Sequence, residues 1–148
     1  MLIAHNAGGT FGERRLTEDG HELTIQVKYF APFLLQHLLP DRLSASGAHV
    51  VVTSSVAHWG GRLDLDDLDF IKRRHSASAA YTASKLADLL FAREIARRTP
   101  QTRITAVAFH PGNVRSSFGR EASGVSRLIY NTVVGRLLLI GEEASSLG

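Results

Sequence analysis

Three features of this 148-residue sequence predict an α/β fold built on an open, doubly wound parallel sheet. Short apolar runs recur without polar alternation, each run ends in small or turn-forming residues, and long segments of helical periodicity separate them. Continuous apolar runs suit strands covered on both faces. The order strand–helix–strand–helix–strand is that of a sheet with right-handed crossovers. The length suits one domain with a real core. No internal repeat or linker divides the chain, so residues 1–148 are read as a single unit.

The first expected strand is Leu2–Ala4, closed by Asn6-Ala7-Gly8-Gly9. A helix is expected roughly from Glu18 to Leu39, with Leu23, Val27, Phe30, Leu34, Leu35 and Leu38 along one side. The second strand, His49–Thr53, ends in Ser54-Ser55. A second helix is expected roughly from Ser78 to Arg98, where Leu86, Leu89, Leu90 and Ile95 recur at helical spacing before Pro100 stops it. The third strand, Ile104–Phe109, runs into His110-Pro111-Gly112. Ligands of open α/β sheets lie beyond the carboxyl ends of the strands, so all three turn clusters fall on the ligand-binding edge.

Composition narrows the function. With no Cys, disulfide frameworks and Cys-ligated metal sites are excluded, and a reducing, cytoplasmic setting fits. Seven His residues are scattered without i, i+3 or i, i+4 pairs, which argues against a metal site. Lys and Arg exceed Asp and Glu by 17 to 14, too even a balance for a nucleic-acid stripe. Met1 leads straight into Leu-Ile-Ala-His-Asn without a basic n-region, so no signal peptide is expected. The apolar stretch 125–141 carries Arg127 and Arg136 and reads as an amphipathic helix rather than a membrane span. Within it, Leu137–Ile140 reads as helix packing or part of a substrate-side lid.

Tyr81 and Lys85 stand one helical turn apart and project from one face. A free tyrosine, with a pKa of about 10, is a poor base at neutral pH. An ammonium about 4–6 Å away lowers that value by roughly 1–3 units, making the pair a candidate general acid/base. By spacing alone, an idle surface pair is the commoner reading of so short a motif. Ser54-Ser55 at a strand end could donate a hydrogen bond to a substrate oxygen. The small residues of Asn6-Ala7-Gly8-Gly9 would let a ligand approach the backbone.

Asn-Ala-Gly after a strand, Val-Val-Thr-Ser-Ser ending the next, Tyr81-Thr-Ala-Ser-Lys85 opening a helix and His110-Pro111-Gly112 after the third resemble the short-chain dehydrogenase/reductase family. Ser-Ser-Val-Ala-His (54–58), the insert through Asp64–Asp69, Leu86-Ala87 followed by Leu90-Phe91, and Asn113-Val114-Arg115 resemble its retinol-dehydrogenase-like and WW-domain-oxidoreductase-like branch. The resemblance implies a Rossmann-like fold and an oxidoreductase moving hydride between NADP(H) or NAD(H) and an apolar alcohol or carbonyl. It implies Tyr81 as acid/base, Lys85 on the nicotinamide ribose, and Ser55 on the substrate oxygen. It places Asn6, Ala7 and Gly8 on the adenosine side of the cofactor, and Pro111, Gly112, Val114 and Ser116 at its nicotinamide end.

The sequence departs from that pattern in two ways. No Thr-Gly-x-x-x-Gly-x-Gly pyrophosphate turn precedes the first strand, and the chain stops before the family's last strand. The expectation is therefore a partial domain holding the fourth to sixth strands, with Leu2–Ala4 as an open edge prone to self-association or homo-oligomer formation. Secondly, Gln26-Val27-Lys28-Tyr29 aligns with the family's Gln-Val-Asn-His, putting Lys28 where an Asn usually supports a proton relay. Either the relay is impaired or Lys28 points away; a surface lysine without a role is the third option. An inactive remnant serving only as a binding or dimerisation module is the competing functional reading. The acidic run Asp64–Asp69 lacks the mid-loop Gly and closing Glu of an EF-hand, and reads as a solvated loop. No Gly-x-Ser-x-Gly elbow suggests a serine hydrolase.

Overall fold

A computed structural model describes residues 1–112. Strands β1 (Leu2–His5), β2 (His49–Thr53) and β3 (Thr105–Phe109) form a parallel sheet in the order β1-β2-β3. Leu2 stands opposite His49, and His49 opposite Thr105, so the three carboxyl ends line up on one edge. Among the described residues β1 pairs only with β2, and Leu2 is exposed. The doubly wound α/β expectation holds, with each strand within a residue of its expected bounds.

Helix α4 (Ala77–Arg98) crosses the sheet between β2 and β3. It begins where Ser76 accepts a hydrogen bond from the Ala79 N–H, satisfying one of the open donors of its first turn. Its face of Phe91, Ala92 and Ile95 packs with Val50, Val52, Leu43 and Ile104 into the main apolar cluster.

The segment between β1 and β2 differs from the single helix expected over 18–39. It starts later, as α1 (Leu23–Ile25), widens into a π turn (Gln26–Phe30) and resumes as α2 (Ala31–Leu38). The Glu22 carboxylate fixes the start, accepting from the Ile25 N–H and the Thr24 hydroxyl while wholly buried. Leu34, Leu35 and Leu38, expected on the packed side, are exposed. A turn with i→i+5 bonding shifts the helical phase, so a stripe drawn at regular α spacing does not stay on one face. A short helix not foreseen from the sequence, α3 (Pro40–Ser46), ends at Gly47 in the left-handed region.

The acidic run is also more than a solvated loop. Asp67 is buried and accepts the backbone N–H groups of Ile71, Lys72 and Arg73 at 2.6, 3.1 and 3.0 Å. Asp69 accepts from the Glu22 N–H at 2.9 Å. The insert is thus pinned to the start of α1, because buried carboxylates need such donors. No helix among the described residues is long and apolar enough to cross a membrane.

Candidate active site

Helix α4 places Tyr81 half-buried and Lys85 buried on its sheet-facing side. The Lys85 ammonium lies 5.9 Å from the centre of the Tyr81 ring. It donates to the Thr53 carbonyl at the end of β2 and to the Asp88 carboxylate at 2.8 Å. Asp88, which sequence reasoning missed, is 3% exposed. Its position three residues after Lys85 on a helix was the available signal. Burial pushes the Asp88 carboxyl above its usual value, while Lys85 and then Lys28 pull it back down.

The two serines at the end of β2 have separate duties. The Ser54 hydroxyl donates to the Lys85 carbonyl at 2.8 Å and is buried. Ser55 caps the 3-10 turn Val56–Gly60, its Oγ accepting from the Ala57 N–H at 3.2 Å. That bond leaves the Ser55 hydroxyl hydrogen to donate elsewhere. The turn is seated tightly on α4: a Cβ at Gly61 would lie 2.5 Å from the Thr82 carbonyl and 2.8 Å from Leu86 Cβ. Trp59, four residues after Ser55, is largely exposed.

Asn6, Ala7 and Gly8 follow β1 as an exposed shelf beside these groups, and the Asn6 side chain accepts from the Thr53 hydroxyl at 2.8 Å. Pro111 and Gly112 follow β3 at the same edge, Gly112 with φ 75°, a conformation that favours glycine. Val114 and Ser116 lie outside the described residues, as do the stretch 125–141 and its Leu137–Ile140 stripe. The small, exposed shelf residues leave backbone open for close approach, so this edge fits part of a flat, polar cofactor.

Lys28 neither points away nor sits on the surface. The π turn directs it inward, where it is 4% exposed. Its ammonium lies 5.2 Å from the Tyr81 ring centre and packs so closely on Gly8 that any Cβ there would collide with it. Burial, then repulsion from Lys85, lowers the Lys28 ammonium to a pKa of about 8, with Asp88 opposing the shift.

No family model matches the chain. It is 46% identical over 119 residues to a Streptomyces sp. (strain C5) protein to which a daunorubicin C-13 ketoreductase role is ascribed, covering 80% of this chain and 40% of that one. It is 37% identical over 135 residues to retinol dehydrogenase 13 of Homo sapiens, covering 90% and 41%. The chain thus spans about 40% of the length of these curated relatives. Among solved structures, an uncharacterized Mycobacterium paratuberculosis protein superposes with a TM-score of 0.70 at 38% identity, over 82% of this chain and 45% of that one. A Brucella ovis oxidoreductase of the short-chain dehydrogenase/reductase family, in complex with a partially ordered NAD, superposes with a TM-score of 0.56 at 25% identity, over 90% and 61%.

Proposed function

The chain belongs to the short-chain dehydrogenase/reductase family, and from that premise we propose that it supplies the acid/base and substrate-binding half of an oxidoreductase using NADP(H) or NAD(H). The nicotinamide, when bound, supplies or accepts a hydride. In the reducing direction the Tyr81 hydroxyl gives its proton to the carbonyl oxygen of the substrate, leaving a phenolate; in the oxidising direction the phenolate takes the proton of an alcohol. Ser55 donates a hydrogen bond to the same oxygen. Lys85 stabilises the phenolate by charge and would meet the nicotinamide ribose. Asn6, Ala7 and Gly8 would line the adenosine side, and Pro111, Gly112, Val114 and Ser116 the nicotinamide end.

The single observation that carries this reading is the division of labour between the two serines. Ser54 is engaged by the Lys85 carbonyl, whereas Ser55 presents an uncommitted donor at the sheet edge shared with Tyr81. An inert pair of surface residues would have no reason to be clamped in this way. Apolar alcohols and carbonyls are the substrate class, supported by the exposed Trp59 four residues after Ser55 and by the named substrates of the relatives.

The test is reduction of a panel of apolar ketones and aldehydes with NADPH or NADH, using the protein with whatever segment its gene encodes upstream in frame. Tyr81→Phe is expected to lower turnover by about 10²–10⁴-fold, the usual contribution of a positioned acid/base, with saturable cofactor binding retained. Equal turnover by the variant would overturn the assignment of Tyr81. Absence of both binding and turnover would favour the remnant that acts only as a binding or dimerisation module.

A further inference from the structure

The family resemblance puts Lys28 where an Asn usually supports a proton relay, which a charged lysine cannot join as an acceptor, yet the fold buries its ammonium. Three observations bear on what that charge does. The Lys28 ammonium is nearer the Tyr81 ring than the Lys85 ammonium is, 5.2 against 5.9 Å. Lys85 is held by the Asp88 carboxylate at 2.8 Å and by the Thr53 carbonyl, so much of its field at the phenol is offset by its own counter-charge. And the Lys28 ammonium packs into the room left by Gly8 at the shelf, where a Cβ would collide with it and force the side chain to shift.

We propose that Lys28 is a positioning residue of the acid/base centre, whose ammonium draws Tyr81 toward the phenolate that Lys85, tied to Asp88, only partly supports. The inference rests on the reading of Tyr81 as the acid/base. Its physical basis is that an opposite charge about 4–6 Å from an ionisable group favours its ionised form by roughly 1–3 units, and the 5.2 Å separation of Lys28 and Tyr81, taken to the ring centre, puts the ammonium in that neighbourhood. The Lys28 pKa of about 8 adds a consequence: its charge is present at neutral pH and fades above that value. Phenolate support from Lys28 is therefore available below about pH 8 and declines in more alkaline solution.

Helix α4 and the elements packed against it carry other titratable groups. Lys85 and Asp88 come from α4 and both act on Lys28 by charge. Tyr29 adjoins Lys28 on the π turn, its phenol pushed up by burial and by Asp88. From β1 comes His5, kept below its usual value by burial. The 3-10 turn contributes His58, whose Nδ1 lies 2.6 Å from the Ser55 carbonyl oxygen. From the cap of α1 comes Glu22, 3.5 Å from His75.

Tyrosine ionisation in the full chain, followed by ultraviolet absorbance and assigned through Tyr81→Phe, reads this effect without cofactor or substrate. Lys28→Met, which keeps the shape and removes the charge, is expected to raise the Tyr81 midpoint, by up to roughly 1–3 pH units where Tyr81 titrates below about pH 8 with Lys28 still charged, and Lys28→Arg to leave it within about one. Should Lys28→Met fail to fold by circular dichroism, Lys28→Gln provides the same comparison. A Tyr81 midpoint that stays put in the neutral variants overturns the proposal, and so does an equal rise in Lys28→Arg. The outcome is separable from the fate of the enzymatic reading: turnover that survives Tyr81→Phe sinks the latter, while the titration judges Lys28 alone.

Discussion

Replacing Lys85 by Met should destabilise the chain in a strongly pH-dependent way. The substitution removes the ammonium 2.8 Å from Asp88 and leaves a carboxylate in a site where only 3% of the residue is exposed. A buried charge without its partner costs about 3–5 kcal/mol. Asp88 has an escape, since it can take up a proton. The cost of holding it neutral is the distance from the ordinary value of 3.8 to the working pH, at about 1.36 kcal/mol per unit. That ceiling is about 4 kcal/mol at pH 7 and about 2 kcal/mol at pH 5. Both figures are upper bounds, because the Lys28 ammonium also attracts Asp88. The sign follows from linkage: a carboxyl whose folded pKa is raised binds its proton more tightly folded than unfolded, so stability is present at low pH and lost as pH rises through that value. Urea unfolding by circular dichroism at pH 5 and pH 7 measures the difference. The double variant Lys85→Met/Asp88→Leu should recover most of the loss, since replacing both partners of a buried pair by apolar groups is often close to neutral. A single variant costing under about 1 kcal/mol at both pH values, with additive effects in the double variant, would show that the pair is not coupled in a dry site.

Lys28 gives the opposite slope. Its folded pKa of about 8 lies below the ordinary 10.5, so between those values the unfolded chain holds a proton that the folded chain has released. Stability should rise with pH across that window by up to about 3 kcal/mol, and the rise should vanish in Lys28→Met. The comparison is best made between pH 8 and 10, below the range where Tyr29, with its raised pKa, pulls the other way. Gly61→Ala should cost about 1–3 kcal/mol by overpacking, because its new Cβ would meet the Thr82 carbonyl oxygen at 2.5 Å; thermal melting reads this, and an unchanged midpoint would mean that the 3-10 turn is not seated on α4.

Much of the fold was legible because parallel strands and their crossover helix leave strong local signals. The run His49–Thr53 is apolar throughout its centre, and Val50 and Val52 are buried on the side that meets α4. Ser76 capping the Ala79 N–H marks the start of α4, one residue before the expected Ser78. The unforeseen α3 had a signal too: Pro40 at its first turn and Gly47 just past its end are a common start and stop. What could not be read was the phase of the preceding helix. Regular 3.6-residue spacing places Val27 and Leu34 on one side, but the π turn breaks that register, and the structure buries Lys28 while leaving Leu34 exposed. A lysine at a polar position of an amphipathic pattern carries no local mark of burial, because its environment is set by Gly8, Tyr81 and Asp88, which lie far away in sequence. The carboxylates of the acidic run were opaque for the same reason: only the folded loop shows that Asp67 gathers the N–H groups of residues 71–73.

The candidate site is legible as a set of residue types but is made by a reciprocal clamp that no motif spells out. The Ser54 hydroxyl donates from the end of β2 to the Lys85 carbonyl, and the Lys85 ammonium donates back to the Thr53 carbonyl. Each bond joins the strand end to α4, one through the helix backbone and the other through a side chain. The first is buried and the second partly so; with an unmade buried hydrogen bond costing about 1–3 kcal/mol, sliding α4 along β2 would break both at once. Ser55 follows directly on this anchored strand end, and Tyr81 stands one turn before the anchored lysine. The two residues proposed as hydrogen-bond donor and acid/base are thereby carried on sheet and helix rather than on loops, the condition under which a pair of ordinary side chains can act as a preorganised site.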